Sequence, residues 1–233
     1  MIGIIGALEE EVVMFKHDMN IISSSIIAGC EYIAGTLSGQ DIVVTRCGMG
    51  KVNSAVCTST MIERYKADII INTGVGGSLD DGLNVCDIMI AEDVVQHDYD
   101  IVSLGYDLAQ VDRFDSPVFK CDKRVNDAIK KSTENLGYPS YYARFATGDR
   151  FIDKPEDKAW ISQTFGAKVC DMETGAIAQV CAMHGVRFSS IRTISDSTTG
   201  PDGAEQFKKF LKLASTHSVF VIEDIMKNPW RVL

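Results

Sequence analysis

Carboxylates at the ends of apolar runs are the groups in this chain best placed to do chemistry. Lys168-Val169-Cys170-Asp171-Met172-Glu173 and Ile191-Arg192-Thr193-Ile194-Ser195-Asp196 each pass through a short apolar stretch to acidic side chains, with a helix-like stretch between them. In an α/β fold, ligands collect beyond the carboxyl ends of strands. A carboxylate placed there is costly unless it pairs, changes its pKa or takes part in a reaction.

Helical phase separates the acidic residues with a task from those without one. In Glu9-Glu10-Glu11, acidic side chains suit the positive end of a helix dipole, which accounts for Glu9 and Glu10. Leu8, Val12, Phe15 and Met19 form one stripe, and Glu11, three after Leu8 and four before Phe15, falls on the same inward side. Desolvation there raises a carboxyl pKa toward values useful for a general base, so Glu11 is either paired or poised. Glu173 continues the stripe of Ala176, Ile177, Val180, Cys181 and His184 at the first turn of the next helix. As an anion at a helix N-terminus it should stay ionised and accept hydrogen bonds from hydroxyls such as those of a ribose. Asp171 lies outside that helix and reads as an N-cap or sheet-end residue. Met172 is core, or a thioether against a sugar face. Ser195-Asp196 alone would be an N-cap or Asx-turn; only one βαβ-type unit from Glu173, it reaches the same crevice.

Phe151-Ile152 follows Thr147-Gly148-Asp149 just beyond a strand, where an aromatic ring joins the core or stacks on a planar ligand. Gly74-Val75-Gly76-Gly77 and Gly48-Met49-Gly50-Lys51 fit neither the Gly-x-Gly-x-x-Gly fingerprint nor a Walker pattern. Each reads as a tight turn, and together they imply close backbone approach around one cavity. Without a Gly-x-Ser-x-Gly elbow or a Cys-His pairing, covalent catalysis has no support.

The elements that must position these groups alternate. Met1–Gly6, Cys30–Ala34, Asp41–Arg46, Asp68–Asn72, Asp87–Gln96 and Tyr141–Ala146 read as strands, followed by the two acid-ended runs. Leu8–Met19, Val52–Tyr65, Arg124–Asn135, Pro155–Gln163 and most of Glu205–Met226 read as helices, and His97–Pro117 as an aromatic loop over a site. Continuously apolar strands alternating with helices predict a mostly parallel or mixed sheet covered on both faces.

The chain has 233 residues and 45% hydrophobic content, enough for one substantial core. With no linker, low-complexity run or repeat, it reads as a single domain over residues 1–233. Its formal charge of −9, 23 basic against 32 acidic residues, disfavours nucleic acid or an anionic membrane as partner and leaves small-molecule chemistry open. Seven scattered cysteines without a Cys-x-x-Cys pair, and four distant histidines, fit free thiols in a reducing cytoplasm and argue against a metal site. Met1–Ala7 has no basic leader, and no apolar run reaches membrane-spanning length, so a soluble, cytoplasmic protein is expected.

A family resemblance draws these residues together. Its anchors are Ile2-Gly-Ile-Ile-Gly-Ala-Leu-Glu-Glu-Glu-Val12, Cys47-Gly-Met-Gly-Lys-Val52, Ile71-Asn-Thr-Gly74, Thr147-Gly-Asp-Arg-Phe-Ile152, Asp171-Met-Glu173 and Ile191-Arg-Thr-Ile-Ser-Asp196. In this order and spacing the chain resembles, nearly end to end, the bacterial 5′-methylthioadenosine/S-adenosylhomocysteine nucleosidases of the nucleoside phosphorylase superfamily. The resemblance implies a three-layer α/β/α fold with a mixed, mostly parallel twisted central sheet. It implies hydrolysis of the N-glycosidic bond of 5′-thioadenosines to adenine and a thioribose, with no cofactor or metal. Glu11 resembles the base that activates water, and Asp196 the acid that protonates the imidazole-side ring nitrogen of adenine, oriented by Ser195. Asp196 is then expected to be protonated, or to share a proton with the base, as catalysis begins. Met172 and Glu173 resemble the ribose contacts, Phe151 the ring that stacks on adenine, and Ile152 the backbone that reads its edge. Leu8, Met49 and Phe207 would line the apolar pocket for the 5′-alkylthio group. A partner subunit's loop would close that pocket in a homodimer, bringing in Leu104 and Tyr106. Val75, among the binding positions, stands where many relatives have Ser. Ser78 replaces a common Gly, Thr174 an Ala or Gly, and Asp112 a Pro found in some.

Three other readings use the same residues. A nucleoside phosphorylase would need arginines around phosphate, and Arg46 is the basic residue near the second glycine cluster. A futalosine hydrolase would keep hydrolysis and change the substrate. A non-catalytic nucleoside-binding or storage protein would not need Glu11, Glu173 and Asp196 together.

Overall fold

The computed structural model describes residues 1–198 and 203–227. In chain order its strands begin with β1 (Ile2–Gly6), β2 (Asn20–Ile27), β3 (Cys30–Leu37), β4 (Gln40–Arg46) and β5 (Ile69–Ser78). They continue with β6 (Ile88–Gln96), β7 (Val118–Lys120), β8 (Ser140–Thr147), β9 (Val169–Asp171) and β10 (Arg187–Asp196). The helices are α1 (Val13–Asp18), α2 (Lys51–Tyr65), α3 (Lys123–Asn135), α4 (Pro155–Phe165), α5 (Thr174–His184) and α6 (Gly203–Met226).

β4, β1, β5 and β10 lie side by side and parallel, and their isoleucines and valines are buried because helices cover both faces. One apolar cluster joins this sheet to α2 and α5 through Cys57, Met61, Ile177 and Cys181. A second joins its other face to α1, α3 and α6 through Phe15, Val125, Ile129, Val219 and Ile222. The expected three-layer α/β/α arrangement around a mixed sheet is therefore present. The antiparallel pairings are β2–β3, β3–β4, β5–β9, β6–β7 and β6–β10. Because β10 pairs β6, β6 pairs β8, β8 pairs β9 and β9 returns to β5, this half of the sheet closes on itself, leaving β1, β4, β3 and β2 as an open wing.

Three local readings are corrected. Leu8–Met19 is not one helix: a 3₁₀ turn at Glu9–Glu11 and α1 are separated by Val12 at φ −127°. Gly74–Gly77 is no turn but the continuation of β5. Its glycines made the stretch look like loop, yet strand pairing with β10 and β9 extends through it. β2 and β7 carried no clear strand signal. Most of β2 is exposed, so burial never imposed an alternating pattern on it, and β7 is three residues long. No helix among the described residues is long and apolar enough to cross a membrane.

Candidate active site

The acid-ended strands converge on one cavity of about 70 Å³. Its walls are Ala7, Leu8 and Glu11 after β1, Met49 before α2, Val75–Gly77 on β5, and Arg150–Ile152 after β8. Cys170–Glu173 after β9, Ser195 and Asp196 at the end of β10, and Phe207 of α6 complete it. The structure thus brings together Glu11, Glu173, Asp196, Ser195, Met172, Phe151, Ile152, Met49, Leu8, Phe207 and Val75. Leu104 and Tyr106 do not line it: Leu104 is exposed, and the Tyr106 hydroxyl donates to Asp112 at 2.8 Å.

Glu11 faces inward because its side chain turns back over its own 3₁₀ turn. Oε2 accepts the backbone N–H groups of Ala7 at 2.6 Å and Leu8 at 3.0 Å, and Oε1 accepts that of Val75 at 3.0 Å. Burial nevertheless outweighs Arg192 and these three N–H groups, and raises its pKa above the ordinary glutamate value. A carboxyl shifted in that direction is a better proton acceptor than a free glutamate, as a general base requires.

Glu173 departs from expectation in two respects. It occupies the position before α5 rather than its first turn, and its side chain does not cap the helix; Asp171 Oδ1 accepts the Thr174 N–H at 3.3 Å instead. Nor does the helix N-terminus keep it fully ionised. Burial pushes its pKa up to about 7, against the pull of Arg192 and of the Gly50 N–H, which donates to Oε1 at 2.8 Å.

Two buried cations were missed by the sequence reading. Arg192, in the middle of β10, contacts Asp171 at 2.9 Å, Glu173 at 3.5 Å and Asn72 Oδ1 at 2.7 Å. Burial pulls the guanidinium down, but Asp171, Glu173 and Glu11 together hold it above its ordinary value. An arginine inside an apolar strand was the available signal. Lys158 of α4 donates to Asp196 Oδ2 at 2.7 Å, both side chains being closed to solvent. Its signal was phase: Lys158, Ile161 and Phe165 share the buried face of α4. Asp196 Oδ1 lies 3.0 Å from the Ser195 hydroxyl. The Asp196 carboxyl is thus flanked by a buried ammonium at Oδ2 and a hydroxyl at Oδ1.

The glycines of β5 make room for these groups. Register places Gly74 opposite Arg192 and Gly77 opposite Asp196, with an irregularity at Ser195 that re-aims the strand end. A Cβ on Gly74 would collide with Glu11 Oε1 and Arg192 Nη1, and one on Gly77 would press on Asp196. Thr174 is turned away from the cavity and bonds Asp171 and Asn72, supporting the arginine from behind. On the cavity rim, Phe151 meets Phe207 edge to face at 5.8 Å, leaving an exposed aromatic surface beside the buried Ile152. Arg46 is outside the cavity, 3.8 Å from Glu9.

A sequence profile of the Phosphorylase superfamily matches residues 1–227. A 5′-methylthioadenosine/S-adenosylhomocysteine nucleosidase of Shewanella halifaxensis is 38% identical over 229 residues, 97% of this chain and 99% of that one. The chain belongs to this nucleosidase family. The crystal structure of the Neisseria meningitidis nucleosidase of the same name, in complex with methylthio-immucillin-A, matches with a TM-score of 0.92 and 32% identity, covering 97% and 98% of the two chains. Futalosine hydrolase of Helicobacter pylori is similar in fold, with a TM-score of 0.90 at 25% identity over 96% of each chain. Membership in the nucleosidase family accords with the cavity's mixture of buried carboxylates, apolar walls and one exposed aromatic face.

Proposed function

We propose that the chain, a single domain, hydrolyses the N-glycosidic bond of 5′-methylthioadenosine and S-adenosylhomocysteine, and of 5′-deoxyadenosine, releasing adenine. The observation that carries this reading is the gathering of Glu11, Glu173 and Asp196 around one cavity, each buried and each braced by different donors. In this scheme Glu11 takes a proton from the attacking water. Glu173 accepts hydrogen bonds from the ribose hydroxyls and faces the positive charge that develops on the sugar. Asp196 protonates the departing base, so that a neutral purine leaves. Phe151 stacks on adenine and the Ile152 backbone reads its edge. Met172 lies against the sugar, and Leu8, Met49, Val75 and Phe207 receive the 5′ substituent.

Water is favoured over phosphate by the electrostatics. Arg192 is committed to Asp171, Glu173 and Asn72, and Arg150 to Asp157 at 2.6 Å. A buried Glu11 beside a phosphate dianion would repel it. We further infer a cytoplasmic homodimer in which the loop bearing Leu104 and Tyr106 closes the other copy's cavity; the exposed apolar side chains of Val52, Val56 and Leu104 support it.

An adenine-release assay on the three nucleosides, with and without phosphate, tests the reading. Phosphate-independent adenine release is expected. Release only with phosphate would make the protein a phosphorylase, and binding without turnover would make it a nucleoside carrier. Faster hydrolysis of futalosine than of any adenine nucleoside would reassign the substrate.

A further inference from the structure

Asp196 sits between two environments. One side lines the substrate cavity; behind it lies Lys158, which does not line that cavity and instead borders a separate cleft with Asp80, Asp81, Ser162 and Thr198. Lys158 is the one buried lysine among the described residues. Its ammonium lies 2.7 Å from Asp196 Oδ2 and 3.4 Å from the Ser197 carbonyl, and the Ser195 hydroxyl is 3.0 Å from Oδ1. Each buried charge offsets much of the desolvation cost of the other. The Lys158 ammonium thus points an N–H at the back of the proposed leaving-group acid.

The remaining charged groups nearby are occupied. Asp80 pairs with Lys168 at 2.8 Å, and Asp81 accepts from Thr198. Asp157 pairs with Arg150, and Gln206 of α6 faces Ser197. Cys170, on β9 beside the pair, is held as a neutral thiol by burial, its pKa pushed up to about 12.

We propose that Lys158 is the positioning residue for Asp196 and the source of the proton that Asp196 passes to the leaving base. The inference rests on the hydrolytic reading above. As the C–N bond breaks, its electron pair stays on the purine, which takes a proton through the Asp196 carboxyl; Asp196 takes one from the Lys158 ammonium. Lys158 is left as a neutral amine and regains a proton from water through the cleft at its back. The proton released by the attacking water goes to Glu11 and from there to solvent, so the balance closes over one turnover.

The test compares 5′-methylthioadenosine with 4-nitrophenyl 5-methylthio-riboside, whose leaving group departs as a stable anion without protonation. In K158M, kcat on the nucleoside should fall roughly 100- to 1,000-fold with KM within about threefold, the range of general acid catalysis. Hydrolysis of the nitrophenyl glycoside should change by less than about threefold. K158R keeps a cation behind Asp196 but holds its proton too tightly to give it up, and should show the same selective loss. If K158M does not fold, K158R carries the test. An equal fall on both substrates, near-normal turnover of the nucleoside by K158M, or full recovery in K158R would overturn the proposal. Wild-type protein that releases no adenine would instead sink the hydrolytic reading itself.

Discussion

Replacing Glu11 with Gln separates the catalytic task proposed for this carboxylate from its structural one. The carboxylate accepts three backbone N–H groups, two at Oε2 and one at Oε1. Glutamine has one acceptor oxygen. With that oxygen toward Ala7 and Leu8, the amide NH₂ faces the Val75 N–H and leaves a buried donor unsatisfied, which costs roughly 1–3 kcal/mol. An opposing gain partly cancels this. The Glu11 pKa is raised by burial, so its proton is bound more tightly in the folded state than in the unfolded one. A group of that kind stabilises the fold below the unfolded pKa, and the contribution is lost as pH rises through the folded value. Above the unfolded pKa the wild type therefore carries a pH-dependent cost that E11Q lacks. The expected net change is within about 2 kcal/mol at pH 7.5 and larger at pH 5, measured by urea unfolding. Activity should not be spared. Loss of a general base lowers the rate about 10²- to 10⁴-fold, or roughly 3–5 kcal/mol of barrier. Adenine release by folded E11Q should show that fall in kcat with KM changed only a few-fold. A kcat within tenfold of wild type, on a variant whose unfolding midpoint is intact, would refute the assignment of Glu11 as base.

Three other perturbations probe the same network. Glu173 has a folded pKa of about 7 against an ordinary 4.5, so its stabilising contribution is present below 4.5 and lost as pH rises through 7. That is on the order of 3 kcal/mol between pH 4.5 and 8, and E173Q should flatten the slope of unfolding free energy across that window. R192M strands Asp171, Glu173 and Glu11 without their shared cation; a loss of about 3–5 kcal/mol in urea unfolding is expected, and a loss below about 1 would show that the carboxylates do not depend on it. G74A drives a methyl group into Glu11 Oε1 and Arg192 Nη1 at φ +153°, so adenine release should collapse while G137A, at an open turn, keeps it. Equal activity of the two variants would mean that β5 is not the template for the Glu11–Arg192 contact.

The legible part of this protein was the part governed by periodicity. The apolar runs of β1, β5, β6 and β10 announced a buried sheet, and the phase of Leu8, Val12 and Phe15 picked Glu11 from three adjacent glutamates. Glu11 reached the interior even though the helix assumed in that argument breaks at Val12. Residue spacing placed it correctly on the inward side, whereas the hydrogen bonds to Ala7 and Leu8 are what hold it there. Illegible were the contacts that depend on how distant strands register. Gly74 faces Arg192 and Gly77 faces Asp196 only because β5 and β10, more than a hundred residues apart, pair in one alignment. The glycines looked like turns because sequence shows a missing side chain without showing what fills its place. Lys158 was hidden for a related reason: a lysine among Lys154, Glu156 and Asp157 reads as a solvated face, although its phase with Ile161 and Phe165 pointed inward. A buried cation is tolerated only where an anion awaits it. An inward-phased lysine on a helix beside the acid-ended strand was thus already a statement about Asp196, and the proposed leaving-group acid is better described as a pair than as a single residue.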